Sequence, residues 1–499
     1  MIYPQSLAEV YLEAGKNKGN LVAVLEHYKK TREKEKYLAA NFLLENISIH
    51  KSINYNWIDD EGKIIPFSEL DFTDFDMALK AFERIKNNIK ITPKQYIQKD
   101  VSVITSEFLI KNIDLAFYEW KNNPWSSSYD FKTFCEYILP YRSLIEPIDD
   151  WRENYKSLVT SALNEVEDLK DPTEVATQII LSLKDFSFEQ KRLDPIPLLS
   201  PSQLLFRRQG SCPDLANLAL LACRSLGVAV TFDFTPHYAA SSNRHYFNTV
   251  VSAKKEHIPF NGNSVNTTDG LPYTYIPSHK RMGKVFRKTF SIQKTALASN
   301  ISKKNIPEGF LQEKNLVDVT NEYVPIGEIN YVFEVPDSIE IGYLNVFNKS
   351  KWKTIDWAKK TNGKFIYKNL GTDLIYLPSI YNNQRTIYEK YPILLDKQGK
   401  PHILKPDFKN TFECTLSRKN EYKNNYKENN SSEIEAGKKY LLMYWDGKWK
   451  KLGVSQANNE GVYFKNIPSN AVFRLIPKDY DGYERIFVLD NKTRKIRWY

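Results

Sequence analysis

Cysteine is scarce in this 499-residue chain: Cys135, Cys212, Cys223 and Cys414 stand far apart, with no Cys-x-x-Cys pair among them. That spacing excludes a disulfide-built scaffold and a cysteine-based zinc site. No clustered His, Cys and Asp set suggests another metal, so neither metal nor cofactor is expected. Long apolar runs are missing as well. Segments such as Leu218–Ala222 fall far short of the roughly 20 residues that a membrane-spanning helix needs, and no transmembrane segment is expected. The opening Met1-Ile2-Tyr3-Pro4-Gln5-Ser6 has neither the charged nor the apolar stretch of a signal peptide. A cytoplasmic protein and a mature exported chain both fit that start. Basic residues exceed acidic ones by 70 to 60, yet no dense basic run or groove-reading motif accompanies the +10 charge. Nucleic-acid binding is not expected.

The rest is ordinary folded composition, 42% hydrophobic and 26% charged, which excludes a disordered or fibrous chain. At about 100–200 residues per domain, the length calls for about three domains. The first 190 or so residues read as helical. Leu7, Val10, Tyr11 and Ala14 recur at helical spacing, and Leu21, Val24, Leu25 and Tyr28 repeat the pattern. Similar stretches run over 37–46, 75–85, 103–119, 129–138, 151–167 and 173–183, with Asp74 and Ser128 as candidate caps. A loop punctuated by Pro195, Pro197 and Pro201 then leads to one strongly apolar helix. Short strands follow at 228–234, 246–252 and 257–260, with a Ser241-Ser242-Asn243 turn ahead of the middle one.

Past about residue 300 strand signals dominate, and the chain repeats itself. Lys351-Trp352-Lys353-Thr354-Ile355 resembles Lys448-Trp449-Lys450-Lys451-Leu452, and Tyr367-Lys368-Asn369-Leu370 resembles Phe464-Lys465-Asn466-Ile467, both at an offset of 97. Two blocks at one offset predict tandem β-sandwich domains. Their aromatics, Trp352, Trp357, Trp445, Trp449 and Trp498, fit sandwich cores; exposed, they would instead offer platforms for glycan or protein.

The chemistry concentrates at Arg208-Gln209-Gly210-Ser211-Cys212-Pro213-Asp214-Leu215. Ser211 followed by Asp214 is a capping-box pattern, and Pro213 suits a first helical turn. Cys212 is therefore expected at a helix N-terminus, where unpaired N–H groups favour a thiolate and an oxyanion. Cys223 lies ~16 Å further along the same helix, at 1.5 Å per residue, and reads as core. His245, opening a strand, is a candidate base. Asn261, ending the next strand, is a candidate for orienting it, though Asn261-Gly262 is also a turn signal. The spacing is Cys, His 33 residues on, and Asn 16 further.

Gly-x-Cys opening a helix, Leu-Gly-Val leading into a strand, His opening a strand, then Pro-Phe-Asn: this order resembles the transglutaminase-like, or papain-like thiol, superfamily. Phe134–Arg142, the Trp151-Arg152 pair and Asp233-Phe234-Thr235-Pro236-His237-Tyr238 resemble a Bacteroidetes group of transglutaminase-domain proteins. The resemblance implies a multidomain α+β chain: a helical N-terminal region at 1–128, a papain-like/transglutaminase-like α+β core at 129–300, and two tandem β-sandwich domains at 301–412 and 413–499.

It also implies a Cys-His-Asp triad for acyl transfer or amide hydrolysis, with Cys212 as nucleophile and His245 as base. Asn261 stands where the superfamily has Asp, and can orient His245 without supplying charge. Gln209 is a candidate oxyanion donor. Asp233 could orient a histidine or simply end a strand, and His237 and Tyr238 are candidates for lining the cleft. Phe134–Arg142 reads as packing and cleft wall, and Arg142 with Glu146 as a surface pair. A protein or peptide substrate is expected, with hydrolysis favoured over amine transfer, and export by resemblance. The rival reading is a catalytically degenerate cell-surface protein whose β-domains bind glycan or protein.

Overall fold

The computed structural model describes residues 5–189, 197–239, 245–262, 281–333, 338–418, 433–478 and 485–499. The Ser241-Ser242-Asn243 turn and Pro195 lie outside them. Helices α1 (Gln5–Ala14), α2 (Lys18–Thr31) and α3 (Lys34–Asn46) open the chain. They are followed by strands β1 (Lys51–Ile58) and β2 (Ile64–Ile65), helix α4 (Phe75–Asn88), strand β3 (Thr92–Lys99) and helix α5 (Ser106–Asn122). Leu7, Val10, Leu21, Val24, Leu25 and Tyr28 share one core with Leu43 and Ile113, as helical spacing requires. Asp74 caps α4, accepting from the Met77 N–H at 2.8 Å.

The N-terminal region is not wholly helical, because β1 to β3 form an antiparallel sheet in the order β2-β1-β3. β3 is almost entirely exposed and carries no apolar stripe; its strand form comes from pairing with β1, which periodicity does not register. Asp130, not Ser128, caps the next helix, α6 (Phe131–Thr133), by accepting from the Thr133 N–H at 2.8 Å. That helix runs on as a π-helical turn over Phe134–Ile138.

Helices α7 (Arg152–Val159), α8 (Pro172–Ser182), α9 (Pro201–Arg207) and α10 (Cys212–Ser225) follow, with strands β4 (Ser187–Phe188) and β5 (Gln209–Gly210) forming a short parallel pair. Leu215, Leu218, Leu221 and Cys223 of α10 pack with Tyr155, Val159, Ile179 and Ile180. The C-terminal end of α10 is held by arginines. Arg224 donates to the Arg142 carbonyl at 3.0 Å, and Arg152 donates to the Arg224 carbonyl at 3.3 Å and to Asn112 Oδ1 at 2.7 Å. Buried cations suit the negative end of a helix.

The expected surface pair of Arg142 and Glu146 is buried instead, at 2% and 1% exposure. Arg142 pairs with the Asp100 carboxylate at 2.6 Å, a partner 42 residues away that local spacing cannot reveal. Phe134, Cys135, Ile138, Leu139 and Tyr141 are likewise core residues of the helical region.

Behind α10 lies an antiparallel sheet of β6 (Val230–Thr235), β7 (His245–Val251), β8 (His257–Phe260), β9 (Phe286–Lys288) and β10 (Leu316–Asp318), in the order β10-β9-β6-β7-β8. Phe232, Val250 and Phe260 pack into the same core as α10. The last strand draws residues 316–318 into this sheet, past residue 300.

The remaining β-domains share one plan. The first contains β11 (Ile326–Tyr331), β12 (Ile341–Asn348), β13 (Lys351–Thr361), β14 (Lys364–Gly371), β15 (Leu374–Asn382), β16 (Arg385–Tyr388), β17 (Ile393–Leu395) and β18 (Pro401–Ile403). The second contains β19 (Asp407–Leu416), β20 (Lys439–Trp445), β21 (Trp449–Gln456), β22 (Val462–Ser469), β23 (Phe473–Pro477), β24 (Phe487–Leu489) and β25 (Ile496–Trp498). The orders β13-β12-β15-β17-β18 and β21-β20-β23-β24-β25 match, as do the pairs β11-β14 and β19-β22. The expected boundary after residue 412 thus falls inside β19.

The long strand β13 pairs with β12 along most of its length and with β14 at its end, so the first domain is one coiled sheet, nearly closed into a barrel. The repeated Lys-Asn block is a bulge in both domains, with Asn369 and Asn466 each at φ 52°, a left-handed conformation asparagine tolerates. Trp352 and Trp449 each stand three residues before a bulged residue, Ile355 and Leu452.

Candidate active site

The start of α10 is built by Asp214. One of its oxygens accepts from the Ser211 N–H at 2.8 Å and from the Ser211 hydroxyl at 2.6 Å. The other accepts from the Leu199 N–H at 2.9 Å, tying the helix start to the preceding loop. Gly210 is required by closeness: a Cβ there would lie 2.7 Å from Asp214 Cβ. Cys212 follows as the first helical residue, exposed and in no disulfide. Partial burial of its side chain pushes the thiol up, opposed by its own backbone N–H. The net direction is opposite to the lowering that a helix start alone would produce. Cys135, pushed up to about 12, and Cys223 are raised by deeper burial.

His245 opens β7 and Asn261 directly follows β8. The register pairs Asn248 with Phe260, so His245, Phe247 and Asn261 fall on one face of the sheet, opposite the face that packs on α10. His245 Nε2 and Asn261 Oδ1 are 2.9 Å apart. A carbonyl oxygen only accepts, so Nε2 is the donor in this contact. The Tyr238 ring stacks on the imidazole with centroids 6.1 Å apart, and Phe247 stands at 5.6 Å. Phe247 was not singled out from the sequence; its position two residues beyond His245 in a strand is the signal that would have found it.

Two contacts hold β7 and the turn after β8 against α10. Asn248 Nδ2 donates to the Ala216 carbonyl at 3.0 Å. Gly262, in a left-handed turn at φ 48°, backs on the first turn of α10, where a Cβ would lie 3.2 Å from Ala216 N. The Asn261-Gly262 turn and the His245 contact therefore coexist.

Asp233 is not brought to His245. It is fully buried, and its oxygens accept from Arg287 at 3.0 and 2.7 Å, Thr249 at 3.0 Å and Tyr323 at 2.5 Å. Arg287 also holds Glu322 at 2.7 Å, and Glu322 lies 3.3 Å from His257 Nδ1. These residues form a charged layer that the sequence did not reveal, because its members come from β6, β7, β8, β9 and the turn after β10. Gln209 is half-buried in β5, three residues before Cys212, and His237 is half-buried just past β6. Among the described residues no group of three or more His, Cys, Asp or Glu side chains gathers to hold a metal ion.

Residues 160–261 match the transglutaminase-like superfamily core. That segment, about a fifth of the chain, includes Cys212, His245 and Asn261 and ends at the last of them. It stops short of Phe134–Arg142 and Trp151-Arg152, so the similarity is to the superfamily and not to a narrower Bacteroidetes group. Among solved structures, the crystal structure of red sea bream transglutaminase aligns over 88% of this chain and 76% of its own, at 8% identity and a TM-score of 0.21. No curated protein matches the chain.

Proposed function

We propose that this chain is a cysteine-dependent amide hydrolase of transglutaminase-like type, acting on peptide or carboxamide carbonyls. The observation that carries the reading is the 2.9 Å contact of His245 with Asn261, inside a segment similar to that superfamily's core and containing a helix-start cysteine. In the proposed reaction Cys212 Sγ attacks the carbonyl carbon while its proton passes to His245 Nδ1. The C–N bond then breaks as the imidazolium returns that proton to the leaving amine, leaving a thioester. Water attacks the thioester, giving a proton to Nδ1, and the C–S bond breaks to restore the thiol.

Because the surroundings of Cys212 push its thiol up, His245 must take the proton during attack rather than sit beside a preformed thiolate. The reaction requires Sγ within about 4 Å of Nδ1. Gln209 and the first N–H groups of α10 are proposed to receive the oxyanion, with His237 and Tyr238 along the cleft. A screen of internally quenched peptide and carboxamide libraries against the full chain tests this. Turnover by the wild type, absent in Cys212→Ala at unchanged melting temperature, supports it. Equal turnover in both sinks it.

A second reading, a binding protein with a decayed centre, is favoured by that raised thiol and by the uncharged third residue. The aromatic platforms it would use are not at Trp352, Trp445 or Trp498, which are buried. Iodoacetamide mapping near neutral pH separates the two by comparison with the half-exposed Cys414, because only an assisted Cys212 is alkylated well ahead of it.

A further inference from the structure

Tyr238 stacks on the His245 imidazole, yet its backbone is held from outside the sheet that carries His245. The Tyr238–Ala239 peptide unit lies past the end of β6 and is gripped on both sides. The Tyr238 carbonyl accepts from Asn348 Nδ2 at 2.8 Å, a buried contact with the last residue of β12 in the first β-domain. The Ala239 N–H donates to the Arg281 carbonyl at 2.8 Å. Arg281 is itself tied to the first β-domain, in the turn between β14 and β15. Its guanidinium donates to the Asp373 carbonyl at 2.6 Å and pairs with the Asp373 carboxylate at 3.0 Å.

A planar peptide fixed at both its carbonyl and its N–H keeps little freedom, so these contacts set the direction in which the Tyr238 side chain leaves the backbone. Ala239 adds to them as a member of the first β-domain's core, with Leu344 and Val346. The Tyr238 ring then packs with Phe247 and Met282 beside His245. Asn261 holds the imidazole at one atom, Nε2, and a single hydrogen bond leaves a ring free to swing about that contact. The Tyr238 face removes that freedom, which is what a reacting side chain needs from the residues around it.

We propose that Asn348 and Arg281 are positioning residues of the thiol site: through the Tyr238–Ala239 peptide they hold the Tyr238 ring against the His245 imidazole, so that the first β-domain sets the orientation of the base. The base role of His245 rests on the proposed function; the placement of its ring against Tyr238 does not. Removing the Asn348 amide leaves the buried Tyr238 carbonyl without that donor, a loss the backbone relieves by moving, and the ring moves with it.

NMR of the full chain labelled at histidine reads the ring directly, with the His245 signal assigned through His245→Gln. Tyr238→Leu should move that signal, because the ring current of the stacked tyrosine is lost. Asn348→Leu and Arg281→Met, each checked for folding by circular dichroism, should move it in the same direction. Asn345→Leu is the control. Asn345 is buried in the same strand but donates within its own domain, to the Leu377 carbonyl at 2.7 Å and to Ser379 at 2.8 Å, so the signal should stay. A His245 signal unmoved in either folded variant overturns the proposal, as does an equal shift in Asn345→Leu. Both variants should also slow iodoacetamide alkylation of Cys212 severalfold near neutral pH. If they leave that rate unchanged while His245→Ala lowers it, the proposal is overturned. If they shift the His245 signal but His245→Ala is alkylated as fast as wild type, the positioning stands and the thiol mechanism fails.

Discussion

Asn261 Oδ1 accepts from His245 Nε2 at 2.9 Å, a contact between the residue just after one strand and the residue that opens its neighbour. It fixes the ring tautomer without adding charge. On the proposed mechanism Asn261→Ala should lower kcat/KM by less than His245→Ala, which removes the proposed base and with it about 10²–10⁴-fold. Asn261→Asp places a negative charge against the ring, stabilises the imidazolium, and should speed alkylation of Cys212 at neutral pH. Second-order rates with iodoacetamide check this; a slower Asn261→Asp thiol would contradict the orienting role.

The cysteines should separate by environment. Burial holds Cys135 and Cys223 as unreactive thiols, so both should be labelled after Cys212 in peptide mapping by mass spectrometry. His245→Ala should slow Cys212 labelling near neutral pH and leave it unchanged well above the thiol's own raised pKa. A His245→Ala rate equal to wild type at neutral pH would mean that no proton passes between the two side chains.

Gly210→Ala should destabilise the fold and disturb the helix start together. The added Cβ would lie 2.7 Å from Asp214 Cβ, and Leu204 Cδ1 stands at 3.1 Å. Overpacking of this kind costs about 1–3 kcal/mol. Denaturant titration reads that loss, and displacement of Asp214 should slow Cys212 alkylation in the same variant.

The β-domains pack on each other through Trp352. Its ring meets Phe347 at 5.3 Å and Trp445 at 5.5 Å, edge to face, in a core that also takes in Val472 and Tyr499 from the second domain. Trp352→Ala should cost about 3–5 kcal/mol and make the junction between the domains open to limited proteolysis. Trp352→Phe should be milder, since it keeps most of the apolar surface.

Glu322 offers a pH test. Burial raises its carboxyl, but hydrogen bonds and charge from His257 and Arg287 outweigh that and hold it at about 2. Its folded value lies below the unfolded value of about 4.3. The stability it contributes is present above that unfolded value and lost as pH falls toward about 2. With part of the carboxylate facing solvent, Glu322→Gln should cost only about 1–2 kcal/mol at neutral pH. The difference from wild type should vanish by about pH 2 in thermal melts; a constant difference across that range would place the effect in packing.

Local signals carried the parts of this protein that depend on neighbours in sequence. The capping of α4 by Asp74, the helix start at Ser211-Cys212 and the strand opened by His245 follow from caps, spacing and alternation. The 97-residue repeat was legible because a left-handed Asn and a bulged strand impose the same residues twice. Tertiary structure decided the rest. β3 is a strand because β1 pairs with it, and Arg142 is buried because Asp100 lies in the helical core. Asp233 serves the Arg287 layer because β9 returns beside β6. Trp352 is buried and Trp449 half-buried because the two β-domains close on each other. In each case the deciding energy is a charge partner, a strand ladder or an apolar surface supplied from a distant part of the chain, and sequence spacing reports only what a residue can do for its near neighbours.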